Sequence, residues 1–242
     1  MQAIIMAAGK GTRLQDMTKE LPKPLVPVRG IPMLGRKLNN LLKVRGISEI
    51  IVVTGYLGEQ IENYVRTNYP NERIRLVRND EYNKGSVITL LKAAPYIKQG
   101  FLLLNADHLF SAKAYRKVVR DAKGVMICSF RNRKPFDDEM KIKYHDNGHV
   151  EMSKKHETYD CGYTGLTAVG NDAYQDYLKI AREKLQLMGE NIVPENLILP
   201  LCENGVPVND YDLSAHSFVE VDTPEDFVIA HHRIKLIEAE DE

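Results

Sequence analysis

The residues of this chain that are best suited to chemistry are a glycine loop, two cations and two distant carboxylates. The loop is residues 9–13, Gly-Lys-Gly-Thr-Arg, and Lys23 follows it between two prolines. Glycine lets backbone N–H groups approach anionic oxygen atoms closely, and Arg13 and Lys23 can neutralise charge that the backbone only partly offsets. This combination suits a polyphosphate. The alternative interpretation is a simple tight turn, which Gly-x-Gly after a strand often forms.

Two well-known phosphate-binding loops do not fit this segment. Leu14 occupies the third glycine position of the dinucleotide fingerprint, where helix–strand packing requires glycine. A P-loop is excluded because no Gly-Lys-Ser/Thr sequence closes the segment. Pro22, Pro24 and Pro27 argue against a long helix after the loop. The sequence therefore predicts an extended, cation-bearing loop that holds a nucleotide without using a helix N-terminus.

Asp107 ends the most apolar stretch of the chain, residues 101–107, which we predict to be a central strand. In open α/β sheets the ligand crevice lies at the carboxyl ends of strands, and an unpaired carboxylate in a dry cleft is costly. Mg²⁺ held by one or two carboxylates plus phosphate oxygens removes that cost. The alternative role of Asp107 is to cap the turn before a helix that begins at Ser111. Residues 105–107 read Asn-Ala-Asp, so a second carboxylate ligand must come from elsewhere.

A second carboxylate of interest lies near the C-terminus. The sequence Thr-Pro-Glu-Asp at 223–226 predicts a capped helix start, with Thr223 at the N-cap and Asp226 at N3. This motif gives Asp222 no structural role, although Asp222 ends a predicted strand. Glu220 and Asp222 alternate with valines along that strand, so both carboxylates can face one cleft.

The elements that must position these residues alternate between strand and helix with short turns. This rhythm predicts an α/β fold with a mostly parallel sheet covered by helices on both sides. The predicted strands are 3–7, 49–54, 73–78, 101–107, 125–130, 163–169, 207–211 and 217–222, with a hairpin over 140–152. The predicted helices are 34–44, 57–69, 87–94, 112–121, 171–188, 194–202 and one from 223, with Ser86 as the N-cap of the third. The charged segment 131–138 is expected to be solvated surface.

The amino-acid composition limits the classes of protein to which this chain can belong. The 242 residues suit one large domain, and the balance of 33 Lys+Arg against 33 Asp+Glu does not indicate a nucleic-acid binder. Three widely spaced cysteines without a Cys-x-x-Cys motif fit a reduced protein without a zinc site. No apolar run approaches a membrane span and no secretory leader is evident, so we expect a cytoplasmic protein. The seven histidines show no metal-ligand spacing and are expected to be structural or exposed.

The glycine loop and the Pro-Lys-Pro corner after it resemble the signature of a known family. Residues 9–14 (GKGTRL), 22–28 (PKPLVPV) and 30–33 (GIPM) are similar to the signature of the pyrophosphorylase-type nucleotidyltransferases, which join an NTP to a phosphorylated alcohol or sugar. The resemblance covers most of the chain and weakens between about residues 131 and 205. It implies a single three-layer Rossmann-like, glycosyltransferase-A-like domain over 1–242. Roughly, residues 1–130 would form the NTP-binding half and residues 131–242 the acceptor-binding half.

The resemblance also implies roles for individual residues. Arg13, Lys23 and Asp107 would be catalytic, and Asp107 and Asp222 would bind Mg²⁺. Lys154 or its neighbour Lys155 would contact the acceptor phosphate. The nucleotide-binding residues would be Ala7, Ala8, Gly9, Lys10, Gly11, Thr12, Asn83, Lys84, Gly85 and Ser86.

The sequence shows no nucleophile–base pair such as Ser-His-Asp, and this absence is informative. A phosphate monoester is ionised near neutral pH and can attack an NTP without a general base, provided that it is positioned and its charge is neutralised. We therefore expect in-line attack on the α-phosphorus with release of pyrophosphate. The segments 105–110, 159–165 and 221–227 are most similar to inositol-1-phosphate and phosphocholine cytidylyltransferases, which favours CTP.

Two alternatives remain open at this point. One is a uridylyl-, thymidylyl- or guanylyltransferase acting on a hexose 1-phosphate, and the other is a catalytically silent, nucleotide-sensing subunit of the same fold. Retention of Arg13, Lys23, Asp107 and Asp222 argues against the silent subunit. The expected partners are an NTP and a phosphorylated small molecule, without nucleic acid or membrane, and the resemblance leaves a homodimer open.

Overall fold

A central mixed sheet with helices on both faces forms the body of the molecule, as the alternating strand and helix patterns predict. The structure is a computed structural model that describes residues 1–241. The strands are β1 Gln2–Ala7, β2 Pro27–Val28, β3 Ile31–Pro32, β4 Glu49–Thr54, β5 Ile74–Arg78, β6 Phe101–Asn105, β7 His108–Phe110, β8 Val125–Phe130, β9 Lys141–Tyr144, β10 Val150–Ser153, β11 Cys161–Val169, β12 Val208–Asp212 and β13 Phe218–Glu220. The helices are α1 Met33–Leu42, α2 Gly58–Asn68, α3 Ser86–Ala93, α4 Ala112–Asp121, α5 Tyr174–Met188, α6 Ile198–Glu203 and α7 Pro224–Ala239.

The strand order places the glycine loop at the middle of the sheet. The order is β10-β9-β11-β6-β1-β4-β5, and β8 pairs with β11 and with β12. β1 runs parallel to both β4 and β6, whereas β11 is antiparallel to β6 and β8. The sheet is therefore mixed, and the predicted single-domain α/β fold is confirmed. Because β1 and β6 are parallel neighbours, the glycine loop after β1 and the Asp107 turn after β6 lie side by side.

Successive residues of β1 face opposite helical layers, as the two-residue period of a strand requires. Ile4 packs into a core that includes Val87 of α3 and Tyr177 of α5. Ile5 packs into a second core that includes Leu34 of α1 and residues of α2. Each fully buried aliphatic side chain contributes about 1.5–3 kcal/mol of apolar burial. Both faces of β1 are thus packed against helices, which fixes the position at which the glycine loop leaves the edge of the sheet.

A third, smaller core fixes the C-terminal part of the chain over the ends of the central strands. β7 and β13 form a two-stranded antiparallel sheet, and α7 covers it through Ile234 and Ile237. In this pairing Glu220 stands opposite His108, and the N–H of Val221 donates to the carbonyl of Asp107 at 3.1 Å. The register therefore brings the end of β13 to the turn that carries Asp107.

Several local predictions need correction. Ser86 is the first residue of α3 rather than its N-cap; Gly85 holds the cap position, without a side-chain hydrogen bond. The predicted strand 101–107 ends at Asn105 as β6; residues 106–107 form a turn, and a separate short strand, β7, follows from His108. The predicted helix 194–202 begins as a 3₁₀ turn, Pro194–Leu197, and continues as α6.

The segment 131–138 is mostly exposed, as expected, and none of its residues is buried. Several contacts nevertheless connect it to the rest of the protein. Arg133 donates to both carboxylate oxygens of Glu139 and lies over the ring of Phe130 at 4.2 Å. Asp138 reaches Arg13 at 3.4 Å. The Arg133 contacts order the segment locally, and the exposed Asp138–Arg13 pair is its contact with the glycine loop.

The capped start of α7 is confirmed. Thr223 Oγ1 accepts from the N–H of Asp226 at 3.2 Å, and Asp226 accepts in return from the N–H of Thr223 at 2.9 Å. Among residues 1–241, no helix has both the length and the apolar character needed to cross a bilayer.

Candidate active site

The glycine loop forms one wall of a cavity of about 340 Å³ at the carboxyl end of β1. Of the residues predicted there, Ala7, Ala8, Gly9, Gly11 and Thr12 line the cavity, whereas Lys10 is exposed and outside the lining. Gly11 has a φ of +63°, and a Cβ on it would lie 2.6 Å from Cβ of Lys23. Glycine is therefore required at this position both by backbone conformation and by the close approach of the Pro-Lys-Pro corner.

Lys23 bridges the two carboxylates that the sequence singled out. Its side chain is buried, and Nζ donates to Asp107 Oδ2 at 2.6 Å and to Asp222 Oδ1. Burial opposes charge on Asp107, but the ammonium and a hydrogen bond from His108 hold the pKa of this carboxyl well below its usual range. Burial likewise lowers the pKa of Lys23, but the two carboxylates together raise it above its usual value. Burial raises the pKa of Asp222 above its usual value, which Lys23 and Arg13 partly oppose. Lys23 and its two carboxyl partners thus form one hydrogen-bonded charged unit.

Arg13 extends this unit toward solvent. Nη2 lies 2.5 Å from Asp222 Oδ2, and Nη1 lies 3.4 Å from Asp138 Oδ2. The Arg13 side chain is 51% exposed, whereas that of Asp222 is 5% exposed. The guanidinium is thus held on a buried carboxylate but stands at the mouth of the cavity, where it can meet an entering anion.

Only part of the segment 83–86, which the sequence predicted to bind the nucleotide, lines the cavity. Lys84 and Ser86 line the cavity, but Asn83 and Gly85 are outside its lining within the described part of the chain. Gly85 instead packs on the backbone after α5: its N–H donates to Glu190 O at 2.6 Å, and a Cβ would lie 2.3 Å from Ile192 O. The close backbone packing accounts for glycine at position 85, and Gly85 lies outside the lining of the cavity to which it was predicted to contribute.

Lys84 is held by two glutamates rather than pointing freely into the cavity. Its Nζ lies 2.8 Å from Glu81 and 2.8 Å from Glu190. Hydrogen bonds to these carboxylates raise the pKa of Lys84 to about 12, so the ammonium stays charged. Because Glu190 lies beyond α5, the contact links the predicted nucleotide segment to the C-terminal half of the chain.

A second cavity of about 220 Å³ adjoins the first. The two cavities share Arg13, Ser86, Asn105, Asp107 and Asp222, so the charged unit stands between them. The second cavity is also lined by residues from the C-terminal half of the chain, among them Asp138, Lys154, Tyr163, Glu195 and Glu220. Of the two lysines that the sequence left open, Lys154 lines this cavity and Lys155 is outside its lining among the described residues.

Glu195 is a carboxylate on this second wall. It lies in the 3₁₀ turn before α6, and burial raises the pKa of its carboxyl group against the effect of its own backbone N–H. No ion pair or side-chain hydrogen bond to its carboxylate occurs within residues 1–241. Glu195 thus presents an oxygen pair that a bound molecule can use.

His108 is a functional candidate that the sequence patterns did not indicate, since all seven histidines were expected to be structural or exposed. The ring is buried between two carboxylates, with Nδ1 2.9 Å from Asp107 Oδ1 and Nε2 3.4 Å from Glu220 Oε2. Burial lowers the pKa of His108, but Glu220 and Asp107 together raise it to about 10, so the ring is an imidazolium at neutral pH. Gly165, at a φ of +74°, lies against this ring, and a Cβ there would be 2.7 Å from it.

Lys37 is a second residue that the sequence patterns did not indicate. It lies on α1, is 1% exposed, and its Nζ donates to Asn105 O at 2.5 Å and to His108 O. Burial lowers the pKa of Lys37 to about 7, which the nearby charge of Asp107 partly opposes. The available signal was positional: Lys37 falls at the i+3 position of the apolar stripe formed by Leu34, Leu38 and Leu41.

The donor set at the shared wall fits a divalent cation that takes part of its ligands from a substrate. Asp107 and Asp222 already hold one positive charge, the ammonium of Lys23, between them. No group of three or more His, Cys, Asp or Glu side chains in the described chain is arranged to hold a metal ion. A magnesium ion on two carboxylates and phosphate oxygens is the usual arrangement in such sites.

Comparison with known proteins shows which family this chain belongs to. The model of the family described as Nucleotidyl transferase matches residues 2–127. The chain is 30% identical over 226 residues to the bifunctional IPC transferase and DIPP synthase of Archaeoglobus fulgidus, covering 93% of this chain and 42% of that protein. It is 31% identical over 185 residues to the CTP:phosphoglutamine cytidylyltransferase of Campylobacter jejuni, covering 69% and 72% respectively.

The fold is also that of solved relatives. The inositol-1-phosphate CTP transferase of T. maritima superposes with a TM-score of 0.81 at 18% identity, over 100% of this chain and 97% of that one. The chain spans about half the length of the bifunctional relatives that it matches. Because the family match covers more than half of the 242 residues, the chain belongs to the nucleotidyl transferase family.

Proposed function

We propose that this chain transfers the cytidylyl group of CTP to a phosphorylated alcohol and releases pyrophosphate, with Mg²⁺ as the divalent cation. One observation carries the proposal: Arg13, Asp107 and Asp222 stand on a wall shared by two adjoining cavities, with Lys23 between the carboxylates. A transfer between two phosphates needs this arrangement, with positive charge at the junction of two binding sites.

The nucleotide is assigned to the cavity after β1. Backbone N–H groups of residues 8–12 would meet the phosphates, and Arg13 at the cavity mouth would hold the β- and γ-phosphates. Tyr82, Lys84, Ser86 and Thr89 line the far side of the cavity and are the candidates to meet ribose and base. CTP is favoured because relatives of this chain are named cytidylyltransferases.

The acceptor is assigned to the second cavity. Lys154 would neutralise its phosphate, and Glu195 and Glu220 would accept hydrogen bonds from its alcohol part. The division into an NTP-binding half, 1–130, and an acceptor-binding half, 131–242, is part of this proposal. It is not strict, because Asp222 of the second half lines the nucleotide cavity, and Arg13, Ser86, Asn105, Asp107 and His108 of the first half line the acceptor cavity.

The proposed chemistry needs no nucleophilic side chain. The acceptor phosphate has a second pKa of about 6, so its oxygen is ionised near neutral pH and attacks the α-phosphorus directly. A new P–O bond forms while the bond from the α-phosphorus to the bridging oxygen breaks, and pyrophosphate leaves with that electron pair. Lys23 would neutralise charge on the α-phosphate and the attacking phosphate, and Arg13 charge on the leaving pyrophosphate.

Asp107 and Asp222 would hold the magnesium ion, which would supply charge neutralisation to the phosphates of CTP. In this role His108 keeps Asp107 ionised and oriented through its 2.9 Å contact. Lys23 can then exchange a carboxylate for a phosphate oxygen without leaving either acid unpaired.

The test is pyrophosphate release from each NTP with Mg²⁺, against a panel of phosphorylated alcohols and hexose 1-phosphates. Turnover with CTP and an alcohol phosphate is the expected result. Turnover only with UTP, dTTP or GTP and a hexose 1-phosphate would replace the proposed substrates. Tight binding of CTP without release from any pair would support a nucleotide-sensing subunit instead.

A further inference from the structure

The geometry points to Lys37 as a positioning residue that braces the turn carrying Asp107, and this inference rests on the role proposed for Asp107 in transfer. Lys37 lies on α1 and does not line either cavity; it contacts the backbone of the turn from the side of α1. Its ammonium donates to the carbonyls of Asn105 and His108, the two residues that flank the pair 106–107.

The turn lies where the central sheet ends, so regular pairing does not fix it. Asn105 is the last residue of β6 and His108 is the first residue of β7, which belongs to a different sheet. The backbone of Asp107 is held by one hydrogen bond from Val221 at 3.1 Å. A single buried cation that joins both flanking carbonyls therefore links the end of the central sheet to the start of the small one.

The chemistry of the contact explains why a lysine is placed in an apolar stripe. A buried lysine without a carboxylate partner is costly, and this one is accommodated by two carbonyl oxygens that accept from its Nζ, a role that either the ammonium or the neutral amine can fill. Without Lys37 these two carbonyls would lack their buried donor, so the turn would be free to rotate toward water or another donor. The Asp107 carboxylate would move with it, away from Lys23 and the proposed metal position.

The chain provides a matched control on the same helix. Arg36 is also buried at 8% exposure, and it also donates to a backbone carbonyl, that of Val28. It pairs with Glu238 of α7 rather than with the Asp107 turn. Arg36→Met and Lys37→Met thus each remove one buried cation with carbonyl partners from α1, and only the second touches the turn.

The first measurement is independent of catalysis. Amide hydrogen exchange at Val221, whose N–H donates to Asp107 O, reports whether the turn is braced. We expect Lys37→Met to speed this exchange by about tenfold or more, which corresponds to loss of about one hydrogen bond, while Arg36→Met leaves it unchanged. Equal exchange in the two variants would overturn the inference.

The second measurement is turnover. We expect Lys37→Met to lower kcat by about 10–100-fold, because a shift of a catalytic group by about 1 Å lowers the rate on that scale. The Kd for CTP should stay within about threefold of that of the unmodified protein. Arg36→Met should lower Tm with kcat nearly unchanged, and Lys37→Arg, which keeps a charged donor, should recover part of kcat. A folded Lys37→Met with normal kcat would refute the positioning role.

Two further outcomes are distinguishable. If Lys37→Met does not fold, Lys37→Gln keeps one donor group at the site and is measured in its place by the same exchange and turnover assays. If the unmodified protein shows no turnover with any NTP, the proposed function fails, and the exchange at Val221 still decides whether Lys37 braces the turn.

Discussion

Replacement of Lys23 by methionine tests whether this ammonium holds the two acidic groups of the site together. Lys23 is 9% exposed at its side chain, and its carboxylate partners Asp107 and Asp222 are 20% and 5% exposed. Methionine preserves most of the side-chain volume and removes the charge. Two buried carboxylates would then face each other across an apolar side chain, which is unfavourable.

The expected loss of stability is set by these contacts. Breaking a buried pair costs about 3–5 kcal/mol, and the lower end applies here because Asp222 keeps Arg13 and Asp107 keeps His108. A loss of about 3 kcal/mol lowers Tm by about 6–12 °C in a domain of this size. In turnover, loss of one stabilising cation lowers kcat by about 10²–10³-fold.

The direction in which the effect of Lys23→Met on stability changes with pH can be derived from the pKa of Asp107. Against the effect of burial, Lys23 holds the folded pKa of Asp107 below its usual range. It therefore contributes stability above the unfolded pKa of about 4, and this contribution is lost as pH falls through the lower folded pKa. In Lys23→Met that contribution is absent. The Tm difference between the two proteins should be largest near neutral pH and shrink as pH falls toward about 4 and below.

The assay is thermal unfolding with and without Mg²⁺ across pH. Because Mg²⁺ can take the place of the ammonium between Asp107 and Asp222, it should raise the Tm of Lys23→Met more than that of the unmodified protein. Lys19→Met is the control, since it breaks an exposed ion pair with Asp16 that contributes little. A Lys23→Met protein that melts like the control, with no added response to Mg²⁺, would refute the arrangement described here.

Three further predictions concern single residues of the two cavities. Asp107→Asn should lower kcat by about 10²-fold or more, and it should lower Tm less than Lys23→Met does, because Lys23 keeps Asp222 and His108 keeps Glu220; a near-normal kcat in a folded variant would exclude the proposed role. Gly165→Ala should lower both Tm and kcat, because its positive φ and the 2.7 Å approach to the ring of His108 leave no room for a methyl group; an unchanged melting curve would contradict this. Glu195→Gln should raise KM for the acceptor without changing the Kd for CTP, as measured by calorimetry, and an equal effect on both ligands would argue against an acceptor role.

The sequence predicted the local parts of the site well, because they depend on local patterns. The glycine loop, Lys23 and Asp107 each follow or end a strongly patterned segment, and their positions at the sheet edge are those expected. Asp222 was identified because the capping motif beginning at Thr223 explained its neighbours and left it without a structural role. The roles of these residues in catalysis and metal binding remain predictions.

The long-range contacts could not be predicted from the sequence. His108 was expected to be structural or exposed because the histidines show no metal-ligand spacing. Its partner Glu220 lies in β13, and only the β7–β13 register brings the two together. Gly85 was assigned to the nucleotide by resemblance; its packing against Ile192 could not be predicted, because that residue follows a helix whose packing no local pattern describes. Lys37 could have been found, since a lysine within an apolar stripe needs buried acceptors.

The charge arrangement of the site explains how it can be stable both before and after substrates enter. Without ligands, the cations Arg13 and Lys23 are held by Asp222 and Asp107, so each of these charges has a partner. Phosphates that compete for these cations would leave the two carboxylates unpaired unless another cation enters with them. A nucleotide carrying a divalent cation satisfies both requirements at once, because its phosphates replace the carboxylates and its cation replaces the side chains. Exchange of partners, rather than separation of charges, is therefore the low-cost route by which this site can take up its proposed substrate.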